Sequence, residues 1–570
     1  MDSSTLDACG PRALASASNS GSESENVDPE RERRTILVLS PYYDGNAIAQ
    51  QQSRFIRRFA MVMTLDWQVC SRARLSRDPR FDGKFFIGVL STRIYCRSIC
   101  PVPTVKEKNV RYFPTAAAAA EAGFRPCLRC RPECSPGTPA WLGTSSTVSR
   151  ALRLIGESGL EDGGMEGLAE RLGVGSRHLR RLFIRHLGAP PSAVAQTRRL
   201  HFAKKLINET RLPMSNVALA SGFGCVRRFN ATIRKTYNRT PTQLRRLIQQ
   251  KTIQPQNQYL FHLRFRPPYH WKGMLAFLAA RATPGVEAVD LKGYRRSISL
   301  NGCGGHFAVS LDEGQDALAV RVQIADPHSL YLIIERIRGM FDLNADWAAI
   351  EQSLGLDPEL ATRIEAEPGL RLPGCWNGFE LTVRAILGQQ ITVKGATVLA
   401  GRIAKSFGQP IFVAEKVAEN DAGNDAENLT HLFPTPEILA DAKLAGLGLT
   451  EKRAGTIRAL ARAVCDGQIS FERIADSDAF LAQLREIPGI GHWTTQYVAM
   501  RVLGEPDALP TGDLGLLRAL GLRTSSELEK RAEAWRPWRS YASMYLWSTA
   551  KKCSVCKTSE TRSSQAARIK

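Results

Sequence analysis

Four cysteines constrain this 570-residue chain more than anything else in it. "IYCRSIC" carries Cys96 and Cys100, and after 26 further residues "PCLRC" carries Cys127 and Cys130. Two close pairs at that separation suit the tetrahedral four-thiolate site that zinc prefers. A unit of about 75 residues buries little apolar surface, so a metal would supplement its core. The plainest reading is a zinc staple. A coordinated thiol is also a thiolate, the nucleophilic form of sulfur, so the same spacing leaves a reactive cysteine open. Arg93, Arg97, Arg111, Arg125, Arg129 and Arg131 surround the pairs and would suit a phosphate backbone. Cys134 stands outside the pairs and reads as a bystander.

Charge points the same way. The chain has 77 Lys and Arg against 55 Asp and Glu, a formal net charge of +22, which favours a polyanionic partner and nucleic acid before a membrane. No apolar run approaches the roughly 20 residues of a membrane span, and no secretory leader is visible. Thirteen cysteines, an odd number, then fit a soluble chain in a reducing compartment better than a disulfide framework. The expected setting is the cytoplasm, in association with the nucleoid.

Several domains are expected at this length. Residues 1–62 are rich in Ser, Gly, Glu and Arg, lack periodicity and read as a disordered extension, with Met63 an alternative start. A Cys-rich unit spans 63–138 and a helical stretch 145–248, followed by the linker "QQKTIQPQNQ". Region 258–365 mixes helices with the strand-like "YLFHLRFRP", "HFAVSLDE" and "LAVRVQI". Region 366–556 is mainly amphipathic helix, broken by the acidic insertion "VAEKVAENDAGNDAENLT", and 557–570 is a polar tail. The expected fold class is multidomain and mainly α with α+β parts.

Two motifs in these regions carry chemistry. "LAERLGVGSRHLRRLF" and "VALASGFGCVRRFNATI" repeat one pattern, with Gly173 and Gly222 offset by 49 and Pro191 and Pro241 by 50. A short apolar helix, a glycine turn and an arginine-bearing second helix make a tandem helix-turn-helix. Arg177, His178, Arg180, Arg181, Arg227, Arg228 and Arg234 are its candidate DNA contacts, each with a solvated helix charge as the alternative. Further on, "REIPGIGHWTTQYVAMRVLG" sets Gly489 and Gly491 in a tight hairpin that lets backbone approach a phosphate. "ALPTGDLGLLRALG" then puts Asp513 at the start of an apolar helix, where it is either an N-cap or a catalytic acid.

The stretch from "DPRFDGKFFIGVLSTRIYCRSICPVP" to "GFRPCLRCRPE" resembles the zinc-binding domain of the Ada family, over about residues 66–133. Members of that family repair methyl phosphotriesters in DNA. The resemblance implies one zinc on Cys96, Cys100, Cys127 and Cys130, with Cys96 also accepting the methyl group irreversibly. It would set Arg97, Arg125 and Arg129 against the DNA backbone, and the charge lost on methylation would strengthen binding. Residues 145–247 resemble the tandem reading heads of AraC-type regulators. That implies promoter DNA as a partner, with RNA polymerase beside it, and Arg177, Arg181, Arg227 and Arg228 as contacts.

From 259 to 550 the chain resembles the AlkA-type helix-hairpin-helix DNA glycosylases, of the DNA-3-methyladenine glycosylase II class. "LRFRPPYHWKGMLAFLAARATPGVE", "LRLPGCWNGFELTVRAILGQQIT" and "RAEAWRPWRSYASMYLW" carry the match, in order, beside the hairpin and Asp513. The resemblance implies that the damaged nucleotide leaves the duplex and that Trp493, Tyr497 and Trp547 form its base pocket. Stacking there supplies about 1–3 kcal/mol per base, and a cationic base adds a cation–π attraction. Asp513 would stabilise the oxocarbenium-like sugar and help water attack C1′. Relatives with lyase activity have a lysine at the position of Trp493, so hydrolysis without strand cleavage is expected. Only Cys553 and Cys556 follow the domain, so no iron–sulfur cluster is expected. The loop before Asp513 is one residue longer than in the family, and Gln390 stands where the family has an apolar wedge, leaving Gln389 or Gln390 to fill the gap in the duplex. The Pro-Cys-His-Arg signature of guanine-alkyl transferases is absent. The expectation is a monomeric repair protein acting on alkylated double-stranded DNA. The alternative is mainly a methylation-activated transcription activator whose glycosylase half is secondary.

Overall fold

Residues 66–137, 146–158, 164–247, 257–411, 428–472, 474 and 476–548 are described by the structure, a computed structural model. They all fall within one contact unit. The expected extension at 1–62, nearly all of the linker and the acidic insertion, and the tail with Cys553 and Cys556 lie outside the described residues.

The paired cysteines sit on a small sheet of β1 (Phe86–Val89), β2 (Ile94–Arg97), β3 (Val110–Phe113) and β4 (Arg125–Pro126), in the order β3-β1-β2-β4. β1 pairs antiparallel with β2 and β3, while β2 and β4 run parallel. Successive strand residues face opposite ways, and both faces are used. Ile87 and Cys96 point to the helix Trp67–Ser76, where Cys70 and Ala73 close a core around the cysteines. Phe86, Tyr95 and Phe113 point to the helix Ala116–Glu121. That helix is the five-alanine run, started by Thr115, whose Oγ1 accepts the Ala118 N–H at 3.0 Å.

The tandem repeat forms two helix-turn-helix units. Gly164–Arg171 precedes Ser176–Leu187, and Met214–Ala220 precedes Val226–Tyr237. Gly173 (φ 65°) and Gly222 (φ 72°) make the left-handed turns that separate each pair. The second helices bury Leu179, Phe183 and Leu187, and Phe229, Ile233 and Tyr237, each spaced by four residues. Between the units runs the helix Pro191–Glu209.

A five-stranded antiparallel sheet follows, from β5 (Gln258–Arg264), β6 (Glu287–Val289), β7 (Tyr294–Leu300), β8 (Cys303–Asp312) and β9 (Ala317–Ile324), in the order β5-β9-β8-β7-β6. The three strand-like segments read from the sequence lie on β5, β8 and β9. Beyond it the described residues from Trp347 to residue 548 are mainly helical. The multidomain, mainly helical class with an added sheet is therefore what the chain adopts. One apolar core runs from Leu200–Ile207, on the helix between the repeats, through the sheet to Leu546.

Polar contacts fasten the cysteine unit to this body. Arg266 is 1% exposed, and its Nε donates to the Asp82 carbonyl (2.9 Å), Nη1 to the Asn344 carbonyl (2.8 Å) and Nη2 to the Gly137 carbonyl (2.5 Å). Lys84 pairs with Asp346 at 2.5 Å, and the Tyr95 hydroxyl meets His201 Nε2 at 2.9 Å. A buried guanidinium is tolerable only when its donors are filled, and here backbone carbonyls fill them. Arg266→Met removes these three bonds and a fourth, longer one from Nη1 to the Ala345 carbonyl (3.4 Å). At about 1.5–3 kcal/mol per charged hydrogen bond, a loss of roughly 3 kcal/mol or more is expected, read as a lower guanidinium chloride midpoint. A loss below about 1 kcal/mol would mean that the unit is held by its other contacts.

Candidate functional site

The sulfurs of Cys96, Cys100, Cys127 and Cys130 all lie within 4.8 Å of one another. A tetrahedral zinc with Zn–S of about 2.3 Å needs sulfurs about 3.8 Å apart, so the donor set fits. Cys96 belongs to β2, Cys100 follows it, and Cys127 and Cys130 follow β4, so the parallel β2–β4 pairing brings the two pairs together. Cys130 Sγ also accepts the Arg97 backbone N–H at 3.4 Å. Cys134 is outside the cluster, its sulfur 4.0 Å from Glu209 Oε1.

Two of the surrounding arginines are not where phosphate contacts would put them. Arg97 is 3% exposed, binds the Asp82 carboxylate (Nε to Oδ1 2.9 Å) and donates to the Cys130 carbonyl at 3.1 Å. This corrects its expected place at the DNA backbone: a buried carboxylate demands a partner, and Arg97 supplies it. Arg131 likewise pairs with Glu133 and Glu209, at 3.3 and 3.1 Å. Arg93 and Arg129 are exposed, and Arg111 and Arg125 half-buried. On the second helices of the two repeats, Arg177, His178, Arg180, Arg181, Arg227, Arg228 and Arg234 are all exposed, opposite the buried apolar stripes.

In the C-terminal half, a cleft of about 1070 Å³ brings together Gly489, Gly491, Gln389, Gln390, Trp493, Tyr497, Asp513 and Trp547. The cysteine cluster and the arginine-bearing helices do not line it. The hairpin joins the helices Ser477–Glu486 and His492–Arg501. Gly489 has φ 94°, and a Cβ there would meet Thr456 Oγ1 at 2.2 Å, so both backbone and space require glycine.

Asp513 is an N-cap and also faces the cleft. Its Oδ1 accepts the N–H groups of Gly515 (2.8 Å) and Leu516 (3.0 Å), which start the helix Leu514–Ala519. Trp547 Nε1 also donates to Oδ1 at 3.0 Å, and Trp493 Nε1 donates to Oδ2 at 3.0 Å. Capping therefore fixes one oxygen and aims the other. Trp493 and Tyr497, one helical turn apart, stack with centroids 5.2 Å apart and planes at 7°. The Trp547 ring is 6.3 Å from Tyr497, inclined at 59°.

The Tyr497 hydroxyl accepts Arg501 Nη1 at 2.7 Å. Burial pushes this phenol up, but Arg501, Arg281 and Arg384 together outweigh burial and leave it below its ordinary value. Gln389 turns inward: its Nε2 donates to the Gly489 carbonyl (2.9 Å) and Thr494 Oγ1 (3.1 Å), and its own carbonyl accepts from Arg453. That corrects its expected place against DNA, because Gly489 of the hairpin and Thr494 of the helix after it hold the amide. Gln390 is exposed beside it, in the left-handed region at φ 57°. The sequence reading missed the charged floor of the cleft, where Arg281, Arg296, Arg384 and Arg501 meet Glu287 and Glu380. One signal was available: Arg501 lies one helical turn beyond Tyr497.

Three family models match the chain: the metal binding domain of Ada over residues 69–133, a helix-turn-helix domain over 168–247 and the AlkA N-terminal domain over 260–377. A "Probable bifunctional transcriptional activator/DNA repair enzyme AlkA" of Mycobacterium tuberculosis is 39% identical over 491 residues, 85% of this chain and 96% of the relative. "DNA-3-methyladenine glycosylase 2" of Escherichia coli is 32% identical, covering 51% of this chain and 97% of the relative. "Bifunctional transcriptional activator/DNA repair enzyme Ada" of Escherichia coli is 35% identical over 122 residues, 21% of this chain and 33% of the relative. No helix among the described residues is long and apolar enough to cross a membrane. The four-thiolate site is expected to bind one zinc per chain, counted as metal released on titration with a mercurial. Cys127→Ser should weaken zinc retention about 10-fold or more, whereas Cys134→Ser should leave the stoichiometry unchanged.

Proposed function

Because the chain belongs to the family of bifunctional transcriptional activator/DNA repair enzymes that join Ada-type and AlkA-type parts, we propose that it repairs alkylated DNA with two chemistries. One is hydrolytic excision of alkylated bases at Asp513, and the other is removal of methyl groups from DNA phosphotriesters at Cys96. The observation that carries the first is the Asp513 carboxylate, held by two indole and two backbone N–H groups at the edge of an aromatic cleft.

The damaged nucleotide swings out of the duplex, at a cost of a few kcal/mol that is smaller for a lesion. Its base enters beside the Trp493–Tyr497 stack and Trp547. When the base is a cationic purine, the C1′–N bond breaks with its electron pair going to the base, which leaves neutral. Positive charge gathers on the sugar, where the Asp513 carboxylate stabilises it. Water adds its oxygen to C1′ and passes a proton to Asp513. The indole of Trp493 has no amine to form a Schiff base, which supports hydrolysis without strand cleavage. Cys553 and Cys556 make two cysteines where a cluster takes four, which supports a site without an iron–sulfur cluster. Gln390, exposed at the cleft, is the better of the two glutamines for the gap in the duplex.

At the other site, Cys96, Cys100, Cys127 and Cys130 would hold zinc, which keeps the sulfurs as thiolates. The Cys96 sulfur attacks the methyl carbon, the S–CH₃ bond forms as the methyl–oxygen bond breaks, and the phosphodiester recovers its negative charge. Arg125 and Arg129 suit the adjacent backbone. Arg177, Arg181, Arg227 and Arg228 would read promoter DNA, with RNA polymerase as a further partner of the chain, which acts as a monomer in the cytoplasm, associated with the nucleoid. The two exposed arginine-bearing helices favour this second role as activator. The working boundaries are 63–138, 145–248, 258–365 and 366–556.

Asp513→Asn is expected to reduce release of 3-methyladenine from methylated DNA by roughly 100-fold or more while zinc content stays unchanged. Undiminished release would remove Asp513 from catalysis. Cys96→Ala should abolish the gain of one methyl mass after incubation with methylated DNA; a methylated Cys96→Ala protein would place the acceptor elsewhere.

A further inference from the structure

The floor of the cleft is more cationic than a methylated, positively charged base requires. Four guanidinium groups meet two carboxylates there. Arg296 pairs with Glu287 (3.2 Å) and Glu380, and Arg384 pairs with Glu287 at 3.0 Å. Arg281 and Arg501 have no carboxylate partner among the described residues. Arg281 reaches the Phe277 carbonyl at 3.3 Å, and Arg501 the carbonyls of Pro373 and of Gly374, the latter at 3.0 Å. Both also face the Tyr497 hydroxyl.

A guanidinium donates and cannot accept. The Tyr497 oxygen therefore receives a hydrogen bond from Arg501, and the three guanidiniums that act on it, Arg281, Arg384 and Arg501, offer no acceptor for its own proton. Burying cations without counter-ions is costly, and a base that is already cationic leaves neutral, so it draws no stabilisation from them as it departs. A base that is neutral before cleavage is different. It leaves carrying the electron pair of the glycosidic bond as negative charge, and donors at the floor stabilise that charge.

We propose that Tyr497 is a catalytic proton donor to departing bases that are neutral in the nucleotide, with Arg501 and Arg281 as its positioning residues. This rests on the glycosylase reading above. As the C1′–N bond breaks, its electron pair goes to the base. The Tyr497 O–H transfers its proton to a nitrogen or carbonyl oxygen of that base, and the phenolate left behind is held by Arg501 and Arg281. Water adds its oxygen to C1′ and gives a proton to Asp513, which releases it to solvent as Tyr497 regains one from solvent, so both groups return to their starting states. The net change is addition of one water and release of a neutral base. The lowered phenol, which arises because three guanidiniums outweigh burial, agrees with this role.

The test compares duplexes carrying one hypoxanthine, neutral before cleavage, or one 7-methylguanine, already cationic. Tyr497→Phe keeps the stacked ring and removes only the hydroxyl. The ratio of kcat/KM for hypoxanthine over 7-methylguanine is expected to fall roughly 10-fold or more. If Tyr497→Phe melts early, 3,5-difluorotyrosine at 497 serves instead, and its more acidic phenol should change the same ratio. A ratio unchanged within about 2-fold overturns the proposal. So does an unsubstituted protein that releases 7-methylguanine but no hypoxanthine, and in both cases the glycosylase reading stands. Release of neither base by the unsubstituted protein would overturn that reading too.

Discussion

The guanidinium of Arg266 joins parts of the chain that lie far apart in sequence. Its three donors reach carbonyls of Asp82, Gly137 and Asn344, the first two from the cysteine unit and the third from the glycosylase body. The Asp82 side chain takes Arg97, which binds the Cys130 carbonyl. The Arg266 carbonyl in turn accepts Arg371 at 2.5 Å. Arg371 begins a short segment whose Pro373 and Gly374 carbonyls accept Arg501, the residue that holds Tyr497. Buried arginines that donate to backbone carbonyls thus connect the four-cysteine cluster to the floor of the cleft. Each of these bonds fixes a geometry, because a buried guanidinium donor that loses its acceptor is costly.

Asp513 shows how one residue meets two demands. The first N–H groups of a helix need acceptors, and a carboxylate at the N-cap supplies them while favouring the positive end of the helix dipole. Chemistry on a sugar cation needs a carboxylate held in one place. Under the proposed chemistry both are met, because Oδ1 carries the cap and the Trp547 indole, leaving Oδ2 with Trp493. The two readings that compete in the sequence are thus compatible, since a carboxylate has about four lone-pair sites.

What was legible in the sequence was what is local. Paired cysteines state their own ligand geometry, and a repeated glycine offset of 49 reveals two copies of one unit. Gly489 and the strand segments were readable for the same reason. Arg97 and Gln389 were misread because residue type does not record direction. Arg97 follows Cys96 on a strand and turns toward buried Asp82, while Gln389 precedes exposed Gln390 and turns toward the hairpin. The floor of the cleft was hidden for another reason. Arg281, Glu287, Arg296, Glu380, Arg384 and Arg501 come from the exit of the helix Trp271–Ala279, two strands and two later helices, and no spacing rule links one of these elements to another.

The helix His492–Arg501 organises what remains. Trp493, Tyr497 and Arg501 follow at intervals of four, so they lie on one face. At one end the Trp493 indole donates to the Asp513 carboxylate, and at the other Arg501 donates to the Tyr497 hydroxyl. The stacked rings lie between an anion and a group of cations. A breaking glycosidic bond separates charge in the matching sense, positive on the sugar and negative on a base that starts neutral. One face of one helix therefore sets both electrostatic poles of the cleft. The order of the three residues along the helix gives the direction in which that charge can separate.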